Sequence, residues 1–320
     1  MKISIAMATY NGGQYLQEQL DSFIAQTRQP NELVVYDDCS SDNTFQILET
    51  FQKQAPFAMY IYRNETTIGY TKNFEKAISS CKGDIIFLSD QDDVWFPEKA
   101  LEMTKYFKAY PNIHVLLADM VLTDENLHPT PYTQLSNILS LGNNSDTFVT
   151  GCGTAIRREW LQLALPIPDD IAAHDNWIHR LALALGVRSL YNRPLQYYRR
   201  HGSNCSNWLA SKTKRVTVLD DFLAHRFHDA TSGWIRERKR IIASFQRIEG
   251  RTSMLQNLGL LERQQESLQL LSEKIESYDR RLQSMSLNRL KRLPTVIELW
   301  MHGCYSHFSG WKSAIKDIVR

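Results

Sequence analysis

The sequence is short of the features that staple, anchor or wrap a chain. Its five cysteines, Cys39, Cys81, Cys152, Cys205 and Cys304, are odd in number, widely spaced and without a CxxC pair. That argues against a disulfide framework and a sulfur-rich zinc site, and fits a reducing, cytoplasmic setting. No uninterrupted apolar stretch reaches the length of a membrane span. The first residues, Met1-Lys2-Ile3-Ser4-Ile5, read straight into a strand, so no signal peptide is expected. Neither GxxxxGK(S/T) nor GxGxxG occurs, which leaves no glycine-rich nest to cradle phosphates.

What is present is an ordinary globular composition, 43% hydrophobic and 22% charged over 320 residues. That length holds one large core with an appendage, or two modest domains. The net charge of +2 hides an asymmetry. Residues 1–209 carry 17 Lys or Arg against 23 Asp or Glu, whereas residues 210–320 carry 20 against 12. A basic rear part suits anionic lipid head groups, or simply the acidic front part.

The front part alternates between strands and helices. Apolar runs at Ile3–Ala8, Leu33–Val35, Met59–Tyr62 and Ile85–Leu88 read as buried strands. Helical spacing fills Tyr15–Gln26, Thr44–Gln54 and Thr71–Ser80 between them. The order predicts a Rossmann-like, mostly parallel sheet with helices on both faces. Two of these strands run directly into acids, Asp37-Asp38 and Asp90-Gln91-Asp92-Asp93. Parallel strands share a carboxyl edge, where open α/β sheets bind ligands, so both clusters are expected in one site. Crowded carboxylates repel unless a hard cation or donor groups compensate, which points to a divalent metal and a diphosphate-bearing nucleotide. Asp93 has a plainer alternative as the cap of the next helix.

Taken in order, Thr9-Tyr10-Asn11, Asp37-Asp38-x-Ser40-x-Asp42-x-Thr44, Gly69 with Asn73, and Asp90-x-Asp92-Asp93 resemble the signature of family-two inverting glycosyltransferases. The likeness covers roughly residues 1–205, and Ser-Asp-Gln-Asp-Asp-Val-Trp is most similar to bacterial rhamnosyltransferase-like members that build surface polysaccharides. It implies the GT-A fold, with a nucleotide-sugar site that includes Thr9, Tyr10, Asn11, Asp38, Gly69, Asn73, Asp90 and Gln91. It also implies Mg²⁺ or Mn²⁺ on Asp92, while Asp37 is left to a structural role.

Further along, residues 128–145 read as a loop on the acceptor side. Phe148–Thr154 reads as a strand whose Gly151, Cys152 and Gly153 either admit a ligand or pack tightly. His174-Asp175-Asn176-Trp177 opens a helix, so Asp175 is a cap by default. The resemblance instead implies that Asp175 is the catalytic base, with His174 in place of the usual first acid and Trp177 on the acceptor side. A strand empties into the basic, polar stretch Arg199-Arg200-His201-Gly202-Ser203-Asn204, and the resemblance implies that Arg199, His201 and Asn204 meet the diphosphate there. By resemblance His201 also touches the metal.

Residues 210–320 are expected to form a helical extension to the catalytic domain of residues 1–209. Ser253-x-x-Gln256 reads as a capping box, opening a long helix whose apolar seam runs from Met254 to Met285. A helical hairpin and a homodimer seam both suit it. Bases and aromatics follow, at Arg289-Leu290-Lys291-Arg292 and at Trp300, Phe308, Trp311, Lys312 and Lys316, suiting a solvated basic face or a peripheral contact at the inner face of a membrane. No nucleic-acid motif is present. The expected activity is inverting transfer from a nucleoside diphosphate sugar, dTDP-rhamnose or a UDP-sugar, to a hydroxyl of a lipid-linked bacterial glycan. A nucleotide-sugar-binding module without catalysis and a metal-dependent nucleotidyltransferase are the alternatives.

Overall fold

The protein is described here by a computed structural model covering residues 1–204, 206, 208–225, 230–308 and 310–319; Cys205 lies outside them, as do the side chains of Arg289 and Leu290. The chain divides into two compact units, Met1–Leu223 and Ala224–Arg320. The first contains strands β1 (Ile3–Thr9), β2 (Glu32–Asp37), β3 (Ala58–Arg63), β4 (Ile85–Ser89), β5 (Val94–Trp95), β6 (Val115–Thr123), β7 (Pro129–Thr133), β8 (Thr154–Arg157) and β9 (Arg188–Arg199). Its helices are α1 (Leu16–Ile24), α2 (Thr44–Gln52), α3 (Tyr70–Ser80), α4 (Lys99–Ala109), α5 (Gln134–Ser140), α6 (Leu161–Ala164) and α7 (His174–Ala184). After α8 (Val218–His225) come α9 (Ala230–Glu249), α10 (Thr252–Asn257), α11 (Leu261–Met285), α12 (Arg289–Met301) and α13 (Trp311–Val319).

The strands make one sheet in the order β3-β2-β1-β4-β8-β6-β9-β5, with β7 added to β6. β1 to β4 are mutually parallel, as the strand–helix alternation predicts. Every residue of β4 is buried, and Ile5, Leu33 and Phe87 pack with Leu20, Phe23, Phe51, Met103 and Phe107 from helices on the sheet. Beyond β4 the direction mixes, because β8 runs antiparallel to both β4 and β6 while β9 runs parallel to β6. Chain order reverses between β1 and β4, and their carboxyl ends therefore flank a crevice.

Several expectations are corrected. Residues 128–145 are not a plain loop: β7 pairs with β6, and Thr133 and Ser136 form a capping box that starts α5. Leu135, Ile138 and Leu141 recur every three residues and bury one face of α5, a short period masked by the surrounding Pro, Asn and Ser. The strand expected at Phe148–Thr154 begins only at Thr154, because Gly151–Gly153 forms a 3₁₀ turn. A Cβ at Gly153 would lie 2.8 Å from the Ala118 carbonyl, so close packing accounts for that glycine. Residues 210–216, counted from sequence with the helical extension, are held by α5. Asn137 donates to the carbonyls of Ala210 and Lys212 at 3.2 and 3.0 Å, and Val216 is buried with Leu135 and Ile138.

In the second unit the long helix expected from Ser253 is broken at Gly259, whose φ of +68° ends α10 before α11 starts. Ser253 and Gln256 lie inside α10 and make no capping box; Arg251 is its N-cap, without a side-chain hydrogen bond. The seam folds back as a hairpin. Arg238 of α9 donates to Asp279 of α11 at 2.8 Å, and Gln264 donates to the Ile248 carbonyl at 2.9 Å, which sets the two helices antiparallel.

Candidate functional site

The floor of the crevice is set by the end of β1. Asp37 is fully buried and accepts from the Thr9 hydroxyl at 3.0 Å, the Ser40 hydroxyl at 2.5 Å and the Ser40 amide at 2.9 Å. Asp37 is structural, as expected, and the buried Thr9 hydroxyl, expected in the nucleotide-sugar site, is committed to it. Asn11 turns the chain at φ 46° and accepts from the Ser41 amide at 2.8 Å. Exposed Tyr10 is gripped through its backbone by Gln91, whose amide accepts at 2.8 Å and donates at 3.0 Å. Gln91 thus ties the tip of β1 to the tip of β4.

Asp38 anchors the loop after β3. Its carboxylate accepts from Asn64 Nδ2 at 2.9 Å and from the amides of Ile68 and Gly69 at 2.8 and 2.9 Å. Asn73 completes this network, accepting from Asn64 and donating to the Tyr36 carbonyl at 2.7 Å. Both oxygens of Asp38 are occupied by the protein's own donors, so the side chain shapes the pocket wall.

The acids after β4 divide by depth. Asp93 is fully buried and accepts from Gln196 Nε2 at 2.8 Å and from the Arg199 amide at 3.1 Å, which rules out the helix-cap alternative. Burial, followed by the charge of Asp92, pushes its pKa up to about 7. Beneath it the fully buried Lys99 donates to the Cys152 carbonyl at 2.8 Å and to Gln196 Oε1, and lies 3.9 Å from the centre of the Trp95 ring. Burial pulls the Lys99 pKa down to about 7. Asp90 is half-buried, and burial with the charges of Asp92, Asp93 and Asp175 holds its pKa well above the carboxylate range.

From the other side the end of β9 delivers His201 and Asn204 to Asp92. His201 Nε2 lies 2.8 Å from Asp92 Oδ2, and Asn204 Nδ2 lies 3.3 Å from the same oxygen. The Ser203 amide donates to His201 Nδ1 at 3.2 Å, so the neutral ring carries its proton on Nε2 and donates to Asp92. Tyr15 packs on that ring with centroids 4.6 Å apart. Arg199, expected on the diphosphate, is buried and fully engaged: it donates to the carbonyls of Asp92 at 2.7 Å and Glu125 at 2.6 Å, pairs with Glu18, and stacks over Tyr15. Its role is to clamp the acidic loop.

Asp175 stands in the first turn of α7, half-buried, and close enough to Asp90 to raise the pKa of that group. The helix caps at Ala173, so Asp175 is not its cap. His174 is buried, stacked on Phe74 with centroids 4.0 Å apart, and neither ring nitrogen has a hydrogen-bond partner. A Cβ at Gly151 would fall 2.9 Å from His174 Nε2, which explains a glycine there. Trp177, expected on the acceptor side, is a core residue: it is 1% exposed and its indole donates to the Ala164 carbonyl at 2.7 Å. Cys152 is equally buried, beside Gln196 at 3.3 Å. Lys99, Gln196, Tyr15 and Glu18 were not legible as site residues, since helical or strand periodicity gives each a routine place.

Two donor sets near these acids are chemically different. Asp90, Asp93 and Cys152 present ligand atoms within 4.8 Å of one another. Burial raises the Cys152 thiol well above its usual range, keeping it protonated, and both Asp93 oxygens already accept hydrogen bonds. That set suits Mg²⁺ or Mn²⁺ poorly. Asp92, with Asp90 nearby, offers half-buried carboxylate oxygens that fit such an ion better, whereas His201, expected on the metal, has both ring nitrogens engaged and braces Asp92 instead.

The family model for glycosyl transferase family 2 matches residues 4–163, half of the chain. An uncharacterized glycosyltransferase of Nostoc sp. is 29% identical over 67% of this chain and 69% of its own length. A dTDP-rhamnosyl transferase of Shigella flexneri, RfbG, is 29% identical over 62% of this chain and 72% of its own. Among solved structures, TarS of S. aureus in complex with UDP-GlcNAc superimposes with a TM-score of 0.57 at 15% identity, covering 99% of this chain and 89% of that one. The last likeness bears on the fold alone.

Proposed function

Because the chain belongs to glycosyl transferase family 2, we propose that it transfers a sugar, with inversion, from a nucleoside diphosphate donor to a hydroxyl of a glycan acceptor. The observation that carries this reading is the convergence of Asp90 and Asp92 from β4, His201 and Asn204 from β9, and Asp175 from α7 at one sheet edge. The dTDP-rhamnosyl relative favours dTDP-rhamnose as donor, with a UDP-sugar next; a lipid-linked surface glycan is the proposed acceptor.

Asp92 with Asp90 would hold Mg²⁺ or Mn²⁺, with His201 bracing Asp92, and when bound that ion supplies positive charge to the departing diphosphate. Asn204 and the Arg199 clamp hold Asp92 in place. Asp175 accepts the proton of the acceptor hydroxyl as its oxygen bonds to the anomeric carbon, while the bond to the diphosphate oxygen breaks on the opposite face. A hydroxyl is far less acidic than a carboxylic acid, so the proton moves late, as the new bond forms. His174, buried against Phe74 where an acid is usual, fixes the start of α7 and does not share that proton.

The test is product identity with Asp175→Asn. A nucleoside diphosphate product, with transfer lowered by at least about a thousandfold and donor affinity within about twofold of wild type, is the expected result. Pyrophosphate release would make the protein a nucleotidyltransferase. Donor binding without turnover in the wild type would leave a binding module. Lost donor affinity with transfer preserved would remove Asp175 from the chemistry.

A further inference from the structure

The end of the second unit exposes large apolar side chains in addition to those its own core uses. In α12, Arg292, Val296 and Leu299 are buried, and in α13 Ser313, Ala314 and Asp317 are. Val296, Leu299, Cys304, Tyr305 and Ala314 form one small cluster, closed by Phe308. Asp317 is locked by Arg281, which donates to both of its oxygens at 2.6 and 2.9 Å, and by the Tyr305 hydroxyl at 3.0 Å. That set satisfies the inward faces of both helices.

A second apolar stripe on each helix faces solvent. On α12 it comprises Leu293, Ile297, Trp300 and Met301, the last 79% exposed. On α13 it comprises Trp311, Ile315, Ile318 and Val319, with Trp311 58% and Val319 67% exposed. Both stripes follow the same i, i+4, i+7, i+8 spacing, which places four side chains along one side of a helix. Scattered exposed apolar residues need no explanation, but two ordered stripes mark an interaction surface. Across residues 288–320 there are six Lys or Arg and only two Asp or Glu, and one of those acids, Asp317, is neutralised by Arg281. Lys291 is exposed, while Lys312 and Lys316 are half-exposed on the same helix as the Trp311 stripe.

We propose that the exposed faces of α12 and α13 dock on an anionic lipid bilayer surface. The charge selects that occupant: an apolar stripe flanked by lysines is complementary to a negatively charged interface, and Trp300 and Trp311 are the side chains that settle between head groups and acyl chains. The helices lie on the surface; no helix among the described residues is long and apolar enough to cross a membrane. This surface is independent of the acids at the sheet edge.

The test uses the full chain with vesicles of phosphatidylcholine alone or mixed with phosphatidylglycerol. Co-sedimentation is expected only with the anionic vesicles, and high salt should weaken it. Trp311→Ser with Ile315→Ser, and separately Lys312→Glu with Lys316→Glu, should each lower partitioning by roughly tenfold or more. Nucleotide-induced stabilisation should be unchanged in both. Tryptophan emission should shift to the blue on binding, and the shift should vanish when Trp300→Phe and Trp311→Phe are combined. Absence of binding to anionic vesicles, or pelleting of both variants like wild type, overturns the proposal. So does a concentration-dependent dimer that Trp311→Ser dissolves, since the stripes would then belong to a second copy.

Discussion

Single side chains at the sheet edge show how chemistry and scaffold share one motif. Asp37 and Asp38 are neighbours, yet one is fully buried under Thr9 and Ser40 while the other pins the loop that ends at Gly69. Arg199 reads as a phosphate ligand from sequence, but its guanidinium is spent on Asp92, Glu125 and Glu18. For Arg199 this is decided by partners 74 to 181 positions away, and that is not written locally. His179 is likewise spoken for, buried with Nδ1 accepting from Arg188 at 3.0 Å and Nε2 2.8 Å from the Thr154 hydroxyl. Burial lowers its pKa well below 6.5 and also lowers that of His174. Below pH 6.5 the unfolded chain therefore binds protons that the folded chain refuses. The stability these neutral rings contribute is fully present above that pH and is lost as the pH falls through and below it. The urea midpoint is expected to drop between pH 7 and pH 5, as the unfolding free energy falls by up to about 1.4 kcal/mol per pH unit for each histidine. His179→Gln should flatten the slope; a wild-type midpoint that is level across this range would refute the account.

Elements were legible in proportion to their periodicity. The parallel core from β1 to β4 and its three helices follow from buried runs separated by helical spacing. β5 is two residues long and exists only because β9 pairs with it, so nothing local announces it. The hairpin of α9 and α11 was open between two readings, and cross-helix pairing at Arg238–Asp279 decided it. Helices α11 and α13 are joined by Arg281 and Asp317, whose side chains are 5% and 1% exposed. Arg281 also stacks 3.8 Å from the centre of the Trp234 ring on α9. Asp317→Asn would leave that guanidinium buried without its counter-charge, at a cost of about 3 kcal/mol. Denaturant unfolding followed by helical circular dichroism should register the loss. Replacing both, as Arg281→Met with Asp317→Leu, should recover much of it, and an unaltered midpoint in the single variant would make the pair dispensable.

For the whole molecule, a ligand that binds only the folded state must raise the unfolding midpoint. With Mn²⁺ present, a dTDP or UDP sugar at about a hundred times its Kd should add about 2.7 kcal/mol, a rise of roughly 5–11 °C for a domain of this size. Chelation should abolish the rise. Asp92→Asn should shift the Mn²⁺ requirement upward by tenfold or more, because His201 and Asn204 would face a neutral amide. A flat response to every nucleotide would remove Asp90 and Asp92 from donor binding, whereas a full response in Asp92→Asn would move the ion elsewhere.

The sequence by itself determined the parallel half of the sheet, the carboxyl-edge position of Asp90 and Asp92, and the family. Those properties are local: buried runs set the strands, and a strand's end sets where its acids emerge. Only the tertiary structure decided which residues of the motif are free to act. Long-range pairing places Gln196 and Lys99 beneath Asp93, brings His201 to Asp92, and buries Thr9, Cys152, Trp177 and Arg199. A buried polar group must find a partner, and which partner it finds depends on how distant strands come together.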